Sequence, residues 1–223
     1  MTNSVDTYFI DMLCGSNSAL LDHFALTVTN AWTWLPLYIM LVIMIIRNHD
    51  NMQQIFICFG CAVLGVLMAT GLTSIIAKPY FARLRPCNDP DFKYLADIAG
   101  NMHSNDYSFF SSHAATTMSL VAFFWFFTRS KLMTFFMFIW SLTLCWSRLY
   151  LAQHFFTDVA TGMVWGTITG SIAYYIYRRF SIRLYNAKYS ISEKYTSTGI
   201  DKLDVELVVL VMLCTYLYAI VII

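Results

Sequence analysis

The sequence predicts an all-α fold: a polytopic membrane protein built as a six-transmembrane-helix bundle, with an N-terminal amphipathic helix and an outward-facing cap. Three observations predict it. Hydrophobic residues make up 58% of the 223 positions and charged residues only 12%, about half the charge of an ordinary soluble domain. Residues 24–46, 51–77, 107–128 and 159–177 contain no Asp, Glu, Lys or Arg, and 132–147 and 207–223 are shorter runs of the same kind. The basic residues also divide unevenly between the two sides that alternating spans create.

A bilayer core needs about 20 apolar residues as a helix. That places spans near 24–46, 55–77, 111–128, 132–150, 156–177 and 204–223. Pro36 falls inside the first and is expected to kink it. Residues 1–22 lack a basic start and carry Asp6, Asp11 and Asp22, which excludes a secretory signal. The stretch SVDTYFIDMLCG reads instead as a short amphipathic helix lying on the membrane. Residues 1–223 form one integral-membrane domain with no internal repeat.

The net charge of +1 gives no reason to expect a nucleic-acid partner; the distribution of charge says more. Arg47, Arg129, Lys131, Arg178, Arg179, Arg183, Lys188, Lys194 and Lys202 fall on one side of the membrane. Lys78, Arg83, Arg85, Lys93 and Arg148 fall on the other, among Asp6, Asp11, Asp22, Asp89, Asp91, Asp97, Asp106 and Asp158. The positive-inside rule makes the first side cytoplasmic. Residues 178–203 then form a basic cytoplasmic connection held to an anionic leaflet. Of the six cysteines, Cys58 and Cys61 sit inside an uncharged span and are expected to pack rather than bind metal. Cys14 and Cys87 share the outward side, and spacing leaves open whether they pair.

Three outward clusters carry potential chemistry. KPYFARLRP brings Lys78 and Arg85, seven positions apart, although Pro79 argues against an uninterrupted helix between them. Lys offers a mobile point charge, and Arg a planar fork that fits two phosphate oxygens. FFSSHAATT places Ser111 and Ser112 at the start of the third span, with His113 in its first turn. A helix N-terminus is a ready anion site. SRLYLAQHFFTD closes the fourth span with Arg148 and opens the fifth with His154 and Asp158. An Asp one turn after a His is expected to accept its Nδ1–H, leaving a lone pair on Nε2. Gly162, Gly166 and Gly170 continue the same row at four-residue spacing, the pattern of a close helix–helix seam.

Taken singly, each cluster has a bland reading: snorkelling cations, a capped helix, a self-satisfied His–Asp pair. Together they put three cations, two histidines and a carboxylate at adjacent helix ends on one face, where ionisable groups are expensive. The sum describes a phosphate pocket with a nucleophile and an acid.

These residues resemble the type-2 phosphatidic acid phosphatase superfamily, which includes the vanadium haloperoxidases. Lys78 is followed after six residues by Arg85-Pro86, and Ser147-Arg148 after five by His154 and after three more by Asp158. These match two of the family's three motifs in full. In the middle motif Ser111 and His113 match, while Phe110 and Ser112 stand where the family has Pro and Gly. The resemblance implies an active site under the outward cap. His154 would attack phosphorus, Asp158 would orient it, and His113 would protonate the leaving group and then activate water. Lys78, Arg85, Ser111, Ser112 and Arg148 would bind the phosphoryl oxygens. Three fixed cations would stand in for Mg2+, so no metal or cofactor is expected.

The resemblance also implies a membrane lipid phosphate as substrate and a bacterial inner membrane location, with the site facing the periplasm. Lipid A is favoured slightly over undecaprenyl pyrophosphate, with phosphatidylglycerophosphate also open. A lipid phosphotransferase and a non-enzymatic anion-binding protein remain alternatives, and oligomeric state is not legible. Two histidines with opposite required protonation states predict a bell-shaped pH dependence of kcat/KM around about 6.5.

Overall fold

The computed structural model describes residues 4–15, 18–92, 106–184 and 196–221. The outward placement of Lys93 and Asp97, and the cytoplasmic placement of Lys188 and Lys194, lie outside the described residues. Among the described residues every regular element is helical. In chain order these are α1 (Ser4–Leu13), α2 (Ala19–Thr29), a 3-10 turn (Ala31–Trp34), α3 (Leu35–Arg47), α4 (Met52–Gly71), a π turn (Leu72–Ala77), α5 (Lys78–Phe81), α6 (Ser112–Thr128), α7 (Lys131–Tyr150), α8 (Phe156–Leu184) and α9 (Lys202–Val221).

The continuous helix Met52–Phe81, together with Lys131–Tyr150 and Lys202–Val221, is long and apolar enough to cross a membrane. Helices α2 and α3 make a fourth if their 68° bend lies within one span. The other two expected spans coincide with α6 and α8.

Pro36 acts differently from the sequence expectation, while the helix between Lys78 and Arg85 is interrupted as expected, although past Pro79 rather than at it. The first span breaks before Pro36, not at it. Asn30 ends α2 by accepting the Trp32 N–H at 3.1 Å. Freed carbonyls at the end of α2 are taken up by the Trp34 indole N–H, 2.8 Å from the Val28 oxygen, and the Thr33 hydroxyl, 2.7 Å from the Thr27 oxygen. Pro36 then lies in the first turn of α3, where its missing N–H has no intrahelical partner to lose. Pro79 does not end its helix either. The π turn Leu72–Ala77 precedes it, widening the backbone where the proline ring would otherwise meet the carbonyl one turn back. Helicity persists to Phe81 and stops at Ala82, which is left-handed at φ 44° with its N–H on the Lys78 carbonyl. Lys78 and Arg85 are therefore not aligned by two helical turns; the chain folds back through turns at Asn88 and Asp89.

Helices α4, α6 and α8 pack closest. A β-carbon added at Gly166 would lie 2.2 Å from the Ala115 carbonyl oxygen, and one at Gly170 2.1 Å from that of Ser119. At Gly162 it would lie 2.6 Å from the Ser111 carbonyl oxygen. The glycine seam is thus the direct contact of α8 with α6, and it fixes the N-terminus of one against that of the other. Gly166→Ala is expected to destabilise by about 1–3 kcal/mol, because neither backbone can yield without the other. Gly60→Ala, where an added methyl meets nothing within 4 Å, is expected to be neutral or mildly stabilising through helix propensity. Melting temperatures of the two variants in detergent check the contrast.

Helix α1 forms where the amphipathic helix was expected, with Val5, Tyr8 and Met12 exposed. It packs on α7 and α8, with Asp6 and Ile10 buried. Ile10 joins Phe92 and Phe155 in an apolar cluster beside the start of α8. Cys58 and Cys61 are buried in the main core. Cys14 is half-buried and Cys87 buried.

Candidate active site

The ends of α5, α6, α7 and α8 meet beneath α1, and the site is built there. Helix α8 opens with a reciprocal cap. The Phe155 N–H donates to Asp158 Oδ2 at 3.0 Å, a carboxylate reaching back from the first turn to an otherwise orphaned donor. The Asp158 carbonyl accepts the Ser111 N–H at 3.1 Å, joining the first turn of α8 to the start of α6. Asp158 is fully buried. Its Oδ1 accepts from Arg83 Nη1 at 2.6 Å, and its Oδ2 accepts the Ser108 hydroxyl.

His154 is 2% exposed. Its Nδ1 lies 3.9 Å from Asp158 Oδ2, too far for a hydrogen bond. The expected His–Asp bond is therefore not made. Nδ1–H donates to the Ser108 carbonyl at 2.9 Å. A carbonyl only accepts, so Nδ1 carries the proton and Nε2 keeps its lone pair. Ser108 links the two side chains, with its backbone on His154 and its hydroxyl on Asp158.

Burial, then the charges of Arg148, Arg85, His113 and Lys78, hold His154 well below the ordinary imidazole value. Every group pressing on it is one that the motif spacing had singled out. The ring is neutral at pH 7, so the acid limb of any rate profile attributable to it lies well below the expected region near 6.5. The sign for stability follows. Below about pH 6.5 the unfolded chain takes up a proton that folded His154 refuses. This contribution to stability is complete above that pH and is lost as pH falls. Melting in detergent between pH 7.5 and pH 5 is expected to show a decline that is smaller in His154→Asn.

The cations differ in attachment. Arg85 is 4% exposed; its Nε–H donates to the Asp106 carbonyl at 3.0 Å, and Nη1 to the Gln153 carbonyl and Oε1 at 3.1 and 2.9 Å. Burial lowers its pKa, but a guanidinium stays charged. Arg148, at the end of α7, donates from Nη1 to the Thr29 hydroxyl at 2.9 Å, while its buried Nε has no partner among the described residues. Lys78 is half-buried at the end of the α4–α5 helix. Ser111 is buried and caps α6, its hydroxyl accepting the Ala114 N–H at 3.4 Å. The Ser112 hydroxyl is buried and unpartnered among the described residues. His113, in the first turn of α6, is exposed. The arrangement offers an anion a ring of cations, orphaned donors and a helix N-terminus, with the neutral imidazole of His154 buried and the ring of His113 exposed.

Four contributors were not found by sequence reasoning. Arg83 binds both Asp158 and Asp6, and Gln153 anchors Arg85. Ser108 acts largely through its carbonyl, which no residue type advertises. Arg83 left one signal, as a cation on the acidic side within the first motif.

The scaffold is that of a helical, apolar membrane protein, with cations and histidines gathered at its helix ends. The PAP2 superfamily profile matches residues 59–182. The chain is 33% identical over 168 residues to a lipid A 4'-phosphatase of Porphyromonas gingivalis, covering 74% of this chain and 70% of that one. It is 26% identical over 184 residues to a lipid A 4'-phosphatase of Bacteroides thetaiotaomicron, covering 82% and 81%. The crystal structure of Aquifex aeolicus LpxE superposes with a TM-score of 0.57 at 20% identity, over 77% of this chain and 95% of that one. The chain belongs to the PAP2 superfamily.

Proposed function

We propose that this protein is a membrane lipid phosphatase that removes a phosphate from lipid A, the 4'-phosphate by analogy with its relatives, through a phosphohistidine on His154. The observation that carries the reading is the state of His154: neutral, its Nδ1–H bound to the Ser108 carbonyl, and pressed upon by Arg148, Arg85 and Lys78. A lone pair inside a ring of cations suits attack on a phosphate that those cations neutralise.

The Nε2 lone pair forms a bond to phosphorus as the bond from phosphorus to the lipid oxygen breaks. His113 gives its proton to that oxygen, and the dephosphorylated lipid leaves. His113, now neutral, takes a proton from water as the water oxygen attacks phosphorus. The P–N bond breaks and returns its pair to His154. Lys78, Arg85 and Arg148 hold the equatorial oxygens, with the Ser111, Ser112 and His113 end of α6 assisting. Asp158, negative and close to His154, stabilises the positive charge that the ring develops. The chain acts as a single domain with six crossings, α6 and α8 supplying the last two. The site opens to the periplasmic face of a bacterial inner membrane, level with the headgroups, so a lipid can present its phosphate while its tails stay in the bilayer.

Phosphate release by the purified protein from a panel of lipid A, undecaprenyl pyrophosphate and phosphatidylglycerophosphate tests the assignment. Lipid A is expected to turn over fastest, and a preference for either of the others would reassign the substrate. Because the cations are side chains, excess EDTA is expected to leave the rate within about twofold; its loss would mean that a metal shares the neutralisation.

A further inference from the structure

Arg83 holds two carboxylates at once. Its Nη1 donates to Asp158 Oδ1 at 2.6 Å and to the Thr157 hydroxyl at 2.8 Å, and its Nη2 donates to Asp6 Oδ2 at 2.7 Å. The guanidinium lies 3.9 Å from the centre of the Phe155 ring. The Arg83 carbonyl accepts the Ser108 N–H at 2.7 Å. Main chain and side chain of one residue therefore hold both groups that surround His154: Ser108, whose carbonyl takes the Nδ1 proton, and Asp158, which takes the Ser108 hydroxyl.

Asp6 completes the circuit from outside the bundle. It is 1% exposed, accepts the Thr157 N–H at 3.0 Å on Oδ1, and accepts the Thr157 hydroxyl at 2.9 Å on Oδ2. A carboxylate of α1 thus satisfies an orphaned N–H in the first turn of α8. Phe9 stacks on Phe156 at 4.0 Å and 9°, and Ile10 packs with Phe155. Helix α1 is seated on the first turn of α8 by one charge and two apolar contacts.

We propose that Arg83 and Asp6 are positioning residues for hydrolysis, and that α1 serves as a latch holding Asp158, Ser108 and His154 in register. Neither touches the phosphate: both terminal nitrogens of Arg83 are committed to carboxylates, unlike Arg148, whose Nε is unpartnered among the described residues. Without Arg83, a buried Asp158 loses its counter-ion and shifts toward the neutral acid. It then no longer stabilises a charged imidazole. A lysine offers one compact ammonium and cannot bridge both carboxylates as the planar fork does. The proposal rests on the reading of His154 as nucleophile.

Steady-state phosphate release from lipid A, with melting temperatures, is measured for Asp6→Asn, Arg83→Ala, Arg83→Lys, the Asp6→Asn/Arg83→Ala double variant and His154→Ala. Asp6→Asn is isosteric and keeps the test alive should Arg83→Ala unfold. Asp6→Asn and Arg83→Ala are each expected to lower kcat about 10–100-fold with KM within about twofold, on the scale of outer-shell substitutions. The double variant is expected to be no slower than Arg83→Ala, because the residues act as one unit. Arg83→Lys is expected to recover part of the loss. Unchanged kcat in folded Asp6→Asn and Arg83→Ala, with His154→Ala inactive, would overturn the proposal. So would a loss confined to KM, which would make Arg83 a phosphate ligand. Turnover surviving in His154→Ala would instead overturn the reading beneath it.

Discussion

His154→Ala is expected to reduce phosphate release from lipid A to background, a fall in kcat on the order of 10,000-fold or more, as for other covalent nucleophiles. The pocket keeps its cations, so the substrate still binds, but no lone pair faces phosphorus. The substitution also strips the buried Ser108 carbonyl of its donor, which costs about 1–3 kcal/mol. An inactive alanine variant could then be merely unstable. His154→Asn separates the two effects, because its amide N–H can still serve the Ser108 carbonyl while offering no nucleophile. It is expected to melt near the parent and to be equally inactive. Initial rates and melting curves on both variants, at one detergent concentration, decide the matter.

His113→Gln is expected to slow lipid A turnover by about 100- to 10,000-fold, the range for losing a general acid. The diagnostic lies in the leaving group. A lipid hydroxyl is a poor leaving group and needs the proton; a nitrophenolate is a good one and does not. With p-nitrophenyl phosphate the first step in His113→Gln should therefore be nearly as fast as in the parent. Loss of the base for water attack then makes the second step limiting, and a burst of nitrophenol should precede slow turnover. His113 is exposed at the first turn of α6, so this change is expected to leave the melting temperature almost unmoved. Equal losses on both substrates, with no burst, would assign His113 to binding.

What the sequence disclosed and what it withheld divide along a physical line. Helices long and apolar enough to cross a membrane were legible because the bilayer demands long uncharged runs; α7, for example, runs Lys131–Tyr150 against an expected 132–150. The glycine seam was legible because only missing β-carbons allow the approach seen at Ala115 and Ser119. Lys78, Arg85, His113, Arg148 and His154 stood out because ionisable groups at the ends of apolar helices are costly, and the charges of the other four press on His154. Contacts made through the backbone were not. The partner of His154 Nδ1 is a carbonyl 46 positions away, and any residue could have supplied it. The i, i+4 spacing suggested Asp158, and spacing alone cannot see a Ser108 inserted beside both.

The kink expected at Pro36 was misplaced for a similar reason. Pro36 and Pro79 mark constraints, but whether a helix breaks, starts or widens at them depends on neighbours such as Asn30 and the π turn after Gly71. The role of α1 was hidden because an amphipathic pattern has the same appearance against lipid as against protein. Asp6, 1% exposed, marks the side of α1 that meets protein.

The central claim is a covalent bond between His154 and the phosphate of the substrate. Rapid mixing of the purified protein with radiolabelled lipid A, quenched in alkali where phosphohistidine survives, followed by peptide mapping, tests it directly. Label on the peptide carrying His154, appearing and decaying at rates compatible with turnover and missing from His154→Asn, is the expected result. Full turnover with no label on that peptide, or with label on another residue, would contradict the account.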